Sequence, residues 1–130
     1  MKDKLSPIGC FKNVIFIDYF NFHDRSTRRE YWWFTFFNLL FYFIINIAVM
    51  IVNNFIRIEL LTSISLAYAF LTVIPAIAVG VRRLHDIGRS GWYILLGIIP
   101  VIGAIILILF FCIDSENGVN KYGISKKIEW

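Results

Sequence analysis

The chain has 130 residues, of which 58% are hydrophobic, 18% aromatic and 17% charged, with a formal net charge of +4. So much apolar side chain in so short a chain exceeds what a soluble core can bury, which argues against a water-soluble domain and for a surplus that faces lipid. The charges are also segregated: none occurs across Tyr31 to Ile56, Leu60 to Val81 or Trp92 to Ile113, gaps of 26, 22 and 22 residues. Each gap reaches the roughly 20 residues that a helix needs to cross about 30 Å of hydrocarbon.

In chain order, residues 1–26 come first, where Lys2, Lys4 and Lys12 mix with Phe11, Val14, Ile15, Phe16 and Ile17. This stretch is too short for a span and too apolar for a free tail, so an interfacial helix is expected, with Asp18 an awkward member of its apolar arc. No small-residue cleavage site follows, so the first span is expected to direct insertion itself. Thr27-Arg28-Arg29-Glu30 has capping-box spacing, and Tyr31, Trp32 and Trp33 suit the headgroup level just inside it. The first span, 31–52, gathers Asn38, Tyr42, Asn46 and Asn53 on one face. Amides in hydrocarbon turn toward neighbouring helices, so Asn38 and Asn46 are assigned to helix packing, with a polar substrate path as the alternative. A short connection holding Arg57 and Glu59 makes the next helix antiparallel to the first. In that second span, 60–81, Ser65, Ala69, Thr72, Ala76 and Gly80 form a narrow small-residue seam for helix packing, interrupted by Pro75.

Residues 82–91 are expected to form a polar cytoplasmic loop. Arg82 and Arg83 suit a helix C-terminus, Gly88 and Gly91 a sharp turn, Ser90 a helix cap, and Trp92 an interfacial anchor. His85 beside Asp86 is the one hint of catalysis or metal binding, and His23-Asp24 is expected on the same membrane face. Two dipeptides without a third cluster fall short of a metal motif. A salt bridge from Asp86 to nearby arginines is the preferred reading, and neither a metal nor another cofactor is expected.

Two stretches resemble the domain of unknown function 805 family of small bacterial inner-membrane proteins. They are Arg25-Ser26-Thr27-Arg28-Arg29-Glu30-Tyr31-Trp32-Trp33-Phe34 and Arg82-Arg83-Leu84-His85-Asp86-Ile87-Gly88-Arg89-Ser90-Gly91-Trp92, with a weaker match at Asn117-Gly118-Val119-Asn120-Lys121-Tyr122-Gly123. Asp24 stands where the family usually has glycine, and Ile87 where it usually has threonine. The resemblance implies a helical inner-membrane fold and carries over no activity.

The third apolar stretch, 92–113, contains Pro100 and is read as one span kinked there, with a re-entrant hairpin as the alternative. Residues 114–130 read as a polar tail. The fold class is therefore an all-α membrane protein with three transmembrane helices and an N-terminal interfacial segment. Three spans put nine Lys and Arg on one face and four on the other, while a hairpin gives twelve against one, so either way the N-terminus is cytoplasmic. Cys10 and Cys112 sit among apolar residues and suggest neither a disulfide nor a metal pair. The expected role is non-enzymatic: a basic cytoplasmic face of Arg25, Arg28, Arg29, Arg82, Arg83, His85, Asp86 and Arg89 binds anionic phospholipid, another membrane protein or a second copy, and no nucleic acid. The competing class is a small transporter component or membrane enzyme using His85-Asp86 and the buried asparagines.

Overall fold

The computed structural model describes residues 6–56 and 60–127. Lys2, Lys4, the expected turn at Arg57 to Glu59 and the end of the tail lie outside the described residues. The chain opens with α1 (Pro7–Lys12), where Ser6 caps the Gly9 N–H and Pro7 supplies a pre-set first turn. It runs into a π-helical turn (Asn13–Ile17) that stops at Asp18. Asp18 therefore ends the helix rather than sitting in its apolar arc. Cys10 and Val14 face inward, Val14 packing with Phe34 and Val79, while Phe16, Ile17 and Phe20 are over 70% exposed, the pattern of a helix half sunk in lipid.

Two long helices, α2 (Arg28–Phe55) and α3 (Leu60–Asp86), form the frame. Both are long and apolar enough to cross a membrane, and their apolar surface, including Phe43, Met50, Phe70 and Leu71, is largely uncovered by protein. Thr27 caps α2 by accepting the Glu30 N–H at 3.2 Å. α3 continues unbroken through Pro75. That proline leaves the Leu71 carbonyl without its helical donor, and the Tyr19 hydroxyl donates to it at 2.5 Å. α3 also runs past Val81 to Asp86, so the two arginines and His85-Asp86 occupy its last turns rather than a loop. It ends in a Schellman motif: Arg89 N–H donates to Leu84 O, Gly88 N–H to His85 O, and Gly88 adopts φ +71°.

The third apolar stretch does not continue in one direction. A 3-10 helix (Gly91–Ile98), capped by Ser90, is followed by a reversal and then by α4 (Ile102–Cys112). At the reversal Ile102 N–H donates to Pro100 O at 2.7 Å and Val101 takes φ +61°, a strained γ-turn that β-branched residues rarely enter. The two legs lie side by side. Tyr93 meets the Phe110 ring edge-on at 5.8 Å, and the Gly103 backbone presses on Leu96 O so closely that a Cβ there would be 1.7 Å from it. At its open end the hairpin rests on Gly80, where a Cβ would meet Ile94 at 2.9 Å and Phe111 at 3.8 Å. A single span kinked at Pro100 is thus corrected to a helical hairpin. The physical reasons are the tight turn after Pro100 and the glycine that lets the legs touch.

Beyond α4 the expected loose tail is also corrected in part. Residues 114–124 fold back over the end of α3, closing with an antiparallel pair, β1 (Val119–Asn120) and β2 (Gly123–Ile124).

Candidate functional site

All described Lys and Arg residues belong to α1, the segment before α2 and its start, the end of α3 and the segments after it, and the buried ones among them form an ionic lock. Asp86 is its centre. Its carboxylate accepts from Arg25 Nε at 3.0 Å, from Arg83 Nη1 and from the Ser115 hydroxyl, while its backbone carbonyl accepts from Arg25 Nη2 at 3.1 Å and from the Glu116 N–H at 2.9 Å. The other bonds donated by Arg25 and Arg83 go to backbone oxygens, whereas Arg82 Nε and Nη2 are buried without a partner among the described residues. Arg25 donates to Gly118 O at 2.9 Å, to Gly123 O at 3.1 Å and to Glu116 O, and Arg83 to Phe111 O at 3.2 Å and to Ile113 O. Arg83 therefore also neutralises the C-terminal end of α4.

Arg82 heads a second cluster. Its Nη1 donates to Asp18 at 3.0 Å and to Glu30 at 3.3 Å, and Asn13 Nδ2 links the same two carboxylates at 2.7 and 3.3 Å. Glu30 does not complete the reciprocal half of the capping box. Its carboxylate is drawn to Arg82, Asn13 and the Ser26 hydroxyl instead. By formal charge the three buried arginines are matched by Asp18, Glu30 and Asp86, so the two clusters together are neutral.

This arrangement changes the basic-face expectation. Arg25, Arg82 and Arg83 have no exposed surface to offer a lipid, because burial and pairing consume their charge. Asp86 is spent on them too, so it does not orient His85. The His85 ring turns the other way, its Nδ1 lying 3.2 Å from His23 O and 3.3 Å from Asp24 O, with Tyr122 stacked on it at 3.8 Å. The two His-Asp dipeptides are neighbours, but through backbone carbonyls. Among the described residues no group of three metal-ligating side chains converges. Arg28, Arg29 and Arg89 remain at the surface, Arg28 paired with Asp114 at 3.1 Å and Arg89 lying over the Phe110 ring. Hydrogen bonds from Lys127 and the Ser115 N–H hold the Asp114 carboxyl below the usual carboxylate range, and a hydrogen bond from Asn21 does the same for Asp24, beside Lys126. Both surface pairs are thus formed at neutral pH.

The packing residues divide. Asn38 accepts the Tyr68 hydroxyl at 3.0 Å and so joins α2 to α3, whereas Asn46 bonds within its own helix to Tyr42 O, and Thr72 likewise to Tyr68 O. Ala76 packs beside Phe34 and Val79, Gly80 admits the hairpin, Ala69 O receives a second, longer contact from Thr72 at 3.4 Å, and the buried Ser65 hydroxyl has no partner. Ser115, Asn120 and Tyr122 also belong to the site, with no local motif to mark them. Asn120 ties His85 O to Glu116 through Nδ2, at 3.0 and 2.9 Å, which makes the Asn117 to Gly123 stretch part of the lock. Only the likeness of that stretch to the family's ending could have indicated this.

The same segments carry the likeness to known proteins. The profile of the family described as "Protein of unknown function (DUF805)" matches residues 19–124, from the turn beside α1 to β2. The chain belongs to this family. It is 39% identical over 110 residues to inner membrane protein YhaI of Escherichia coli (strain K12), covering 85% of this chain and 89% of that one. To inner membrane protein YhaH of the same strain it is 37% identical over 114 residues, covering 86% and 92%. No solved structure matches. The family's members named here are inner-membrane proteins, in agreement with the uncovered apolar faces of α2 and α3.

Proposed function

We propose that this is a multi-pass, non-enzymatic inner-membrane protein that crosses the bilayer twice, carries a re-entrant hairpin on the cytoplasmic side, and engages anionic phospholipid through its basic face. The observation that carries the reading is the distribution of charge left after the ion pairs are counted: Lys12, Arg29, Arg89 and Lys121 make no ion pair among the described residues, while Arg28 is paired with Asp114. Each such cation near an anionic surface contributes about 1 kcal/mol. Leg length supports the hairpin. Eight residues of 3-10 helix and eleven of α-helix both measure about 16 Å, half the hydrocarbon depth. Gathering the C-terminal lysines with the other basic residues also satisfies the positive-inside bias better than a third crossing does.

Two measurements test this. A cysteine placed at Ser125 in a background lacking Cys10 and Cys112 is expected to react with an impermeant maleimide in inverted inner-membrane vesicles and to stay unlabelled in intact cells. Labelling from outside would overturn the hairpin topology. The protein in nanodiscs is expected to melt higher in phosphatidylglycerol than in phosphatidylcholine, with the difference shrinking as salt rises through the screening range. Equal melting in both lipids would remove the lipid-binding role.

A further inference from the structure

The cytoplasmic rim of α2 holds a groove of about 380 Å³ lined by Arg28, Arg29, Trp32, Trp33 and Cys112. Its polar groups differ in how much of their bonding capacity is used. Arg28 is committed to Asp114 and to Cys112 O, and Asp114 is shared with Lys127. Arg29 makes no hydrogen bond or ion pair among the described residues, and neither indole N–H of Trp32 and Trp33 has an acceptor. The groove is thus lined by a guanidinium and two indole rings, and the Trp33 ring meets Phe36, which is 54% exposed. No carboxylate lines it.

From this we infer that the groove is a discrete seat for the headgroup of one anionic phospholipid. The phosphodiester sits on Arg29, the indoles contribute hydrogen bonds at the headgroup level, and an acyl chain follows Trp33 and Phe36 into the bilayer. The volume suits a headgroup rather than a whole lipid. The Asp114 carboxylate beside Arg28 is shared with Lys127, so the amine of a zwitterionic headgroup finds no free counter-charge, which selects for anionic lipid. The apolar floor selects for a lipid over a soluble phosphate. The inference rests on the proposed basic face but is sharper, since it places the preference at one site.

The test uses the full chain extracted from vesicles of equal phosphatidylglycerol and phosphatidylcholine, with co-purifying lipid counted by native mass spectrometry. Wild type is expected to retain phosphatidylglycerol preferentially. Arg29→Gln should lower that retention about fivefold, the equivalent of one arginine's contribution, and Trp33→Leu should lower it as well. Arg89→Gln, a cation of the diffuse basic face outside the groove, should lower it clearly less than Arg29→Gln does. Because Arg29 makes no hydrogen bond or ion pair among the described residues, Arg29→Gln is expected to melt with wild type, so reduced retention reports the site rather than the fold. An equal drop in both arginine variants would overturn the seat while leaving a diffuse basic face standing. No preference in the wild type would overturn both. Displacement of the lipid by millimolar inorganic phosphate would reassign the groove to a soluble phosphate and also sink the proposal.

Discussion

Replacing Asp86 with asparagine should cost about 3–5 kcal/mol of stability, the expected penalty for leaving buried arginines without their counter-ion. The carboxylate receives Arg25, Arg83 and Ser115 at once, with no exposed surface on either guanidinium. An amide removes the charge and also turns an N–H₂ toward one of these donors, so the loss is compounded. Thermal unfolding in detergent and protease resistance should both drop sharply. Ser115→Ala, which removes one neutral donor, should cost only about 1 kcal/mol. If Asp86→Asn melts with wild type, the backbone carbonyls around Arg25 and Arg83 suffice and the lock is not centred on the carboxylate.

Gly103→Ala is the second large effect, and its sign runs against helix propensity. In an ordinary helix the change would gain about 1 kcal/mol. Here the added Cβ would stand 1.7 Å from Leu96 O, 2.8 Å from the carbonyl carbon and 3.0 Å from Ile99 Cβ, and the first two of those atoms are backbone, which cannot swing aside. The hairpin legs must separate, at an expected cost of about 3 kcal/mol or more. Gly97→Ala supplies the contrast. Its Cβ would meet only the tip of Leu107 at 3.4 Å, so it should stay close to wild type. Melting temperatures of the two variants in the same detergent check the ranking, and equal values would mean that the legs do not touch.

How far these features could be read in advance depends on the kind of interaction. The stretches free of charge announced the membrane helices, and the Thr27 cap, the Gly88 turn and the Ser90 cap follow from local chemistry that a few neighbouring residues determine. The course of the third apolar stretch was not legible, because a run of 22 apolar residues serves equally for one crossing or for an entry and a return. Pro100 marks an interruption under either reading, and what decides between them is a contact between Gly103 and the backbone of Leu96, which leaves no pattern. His85 and Asp86 could have been separated earlier, since adjacent residues on a helix point about 100° apart and rarely share a partner. The arginines were counted correctly as charges but not as buried ones. Arg25 and Arg83 are held largely by carbonyl oxygens, which every residue possesses and no sequence advertises.

The origin of those carbonyls bears on how the protein is made. Residues 82 to 86 leave the ribosome well before Phe111, Ile113, Glu116, Gly118 and Gly123, which supply most of the acceptors for Arg83 and Arg25. Through that interval two cations share the single carboxylate of Asp86 and must keep water around them, so the inner half of the bundle cannot dry out. The lock therefore cannot close until residues 111 to 123 have been made. A chain interrupted anywhere before β2 would carry its own mark of incompleteness: hydrated arginines at the mouth of an unfinished hairpin.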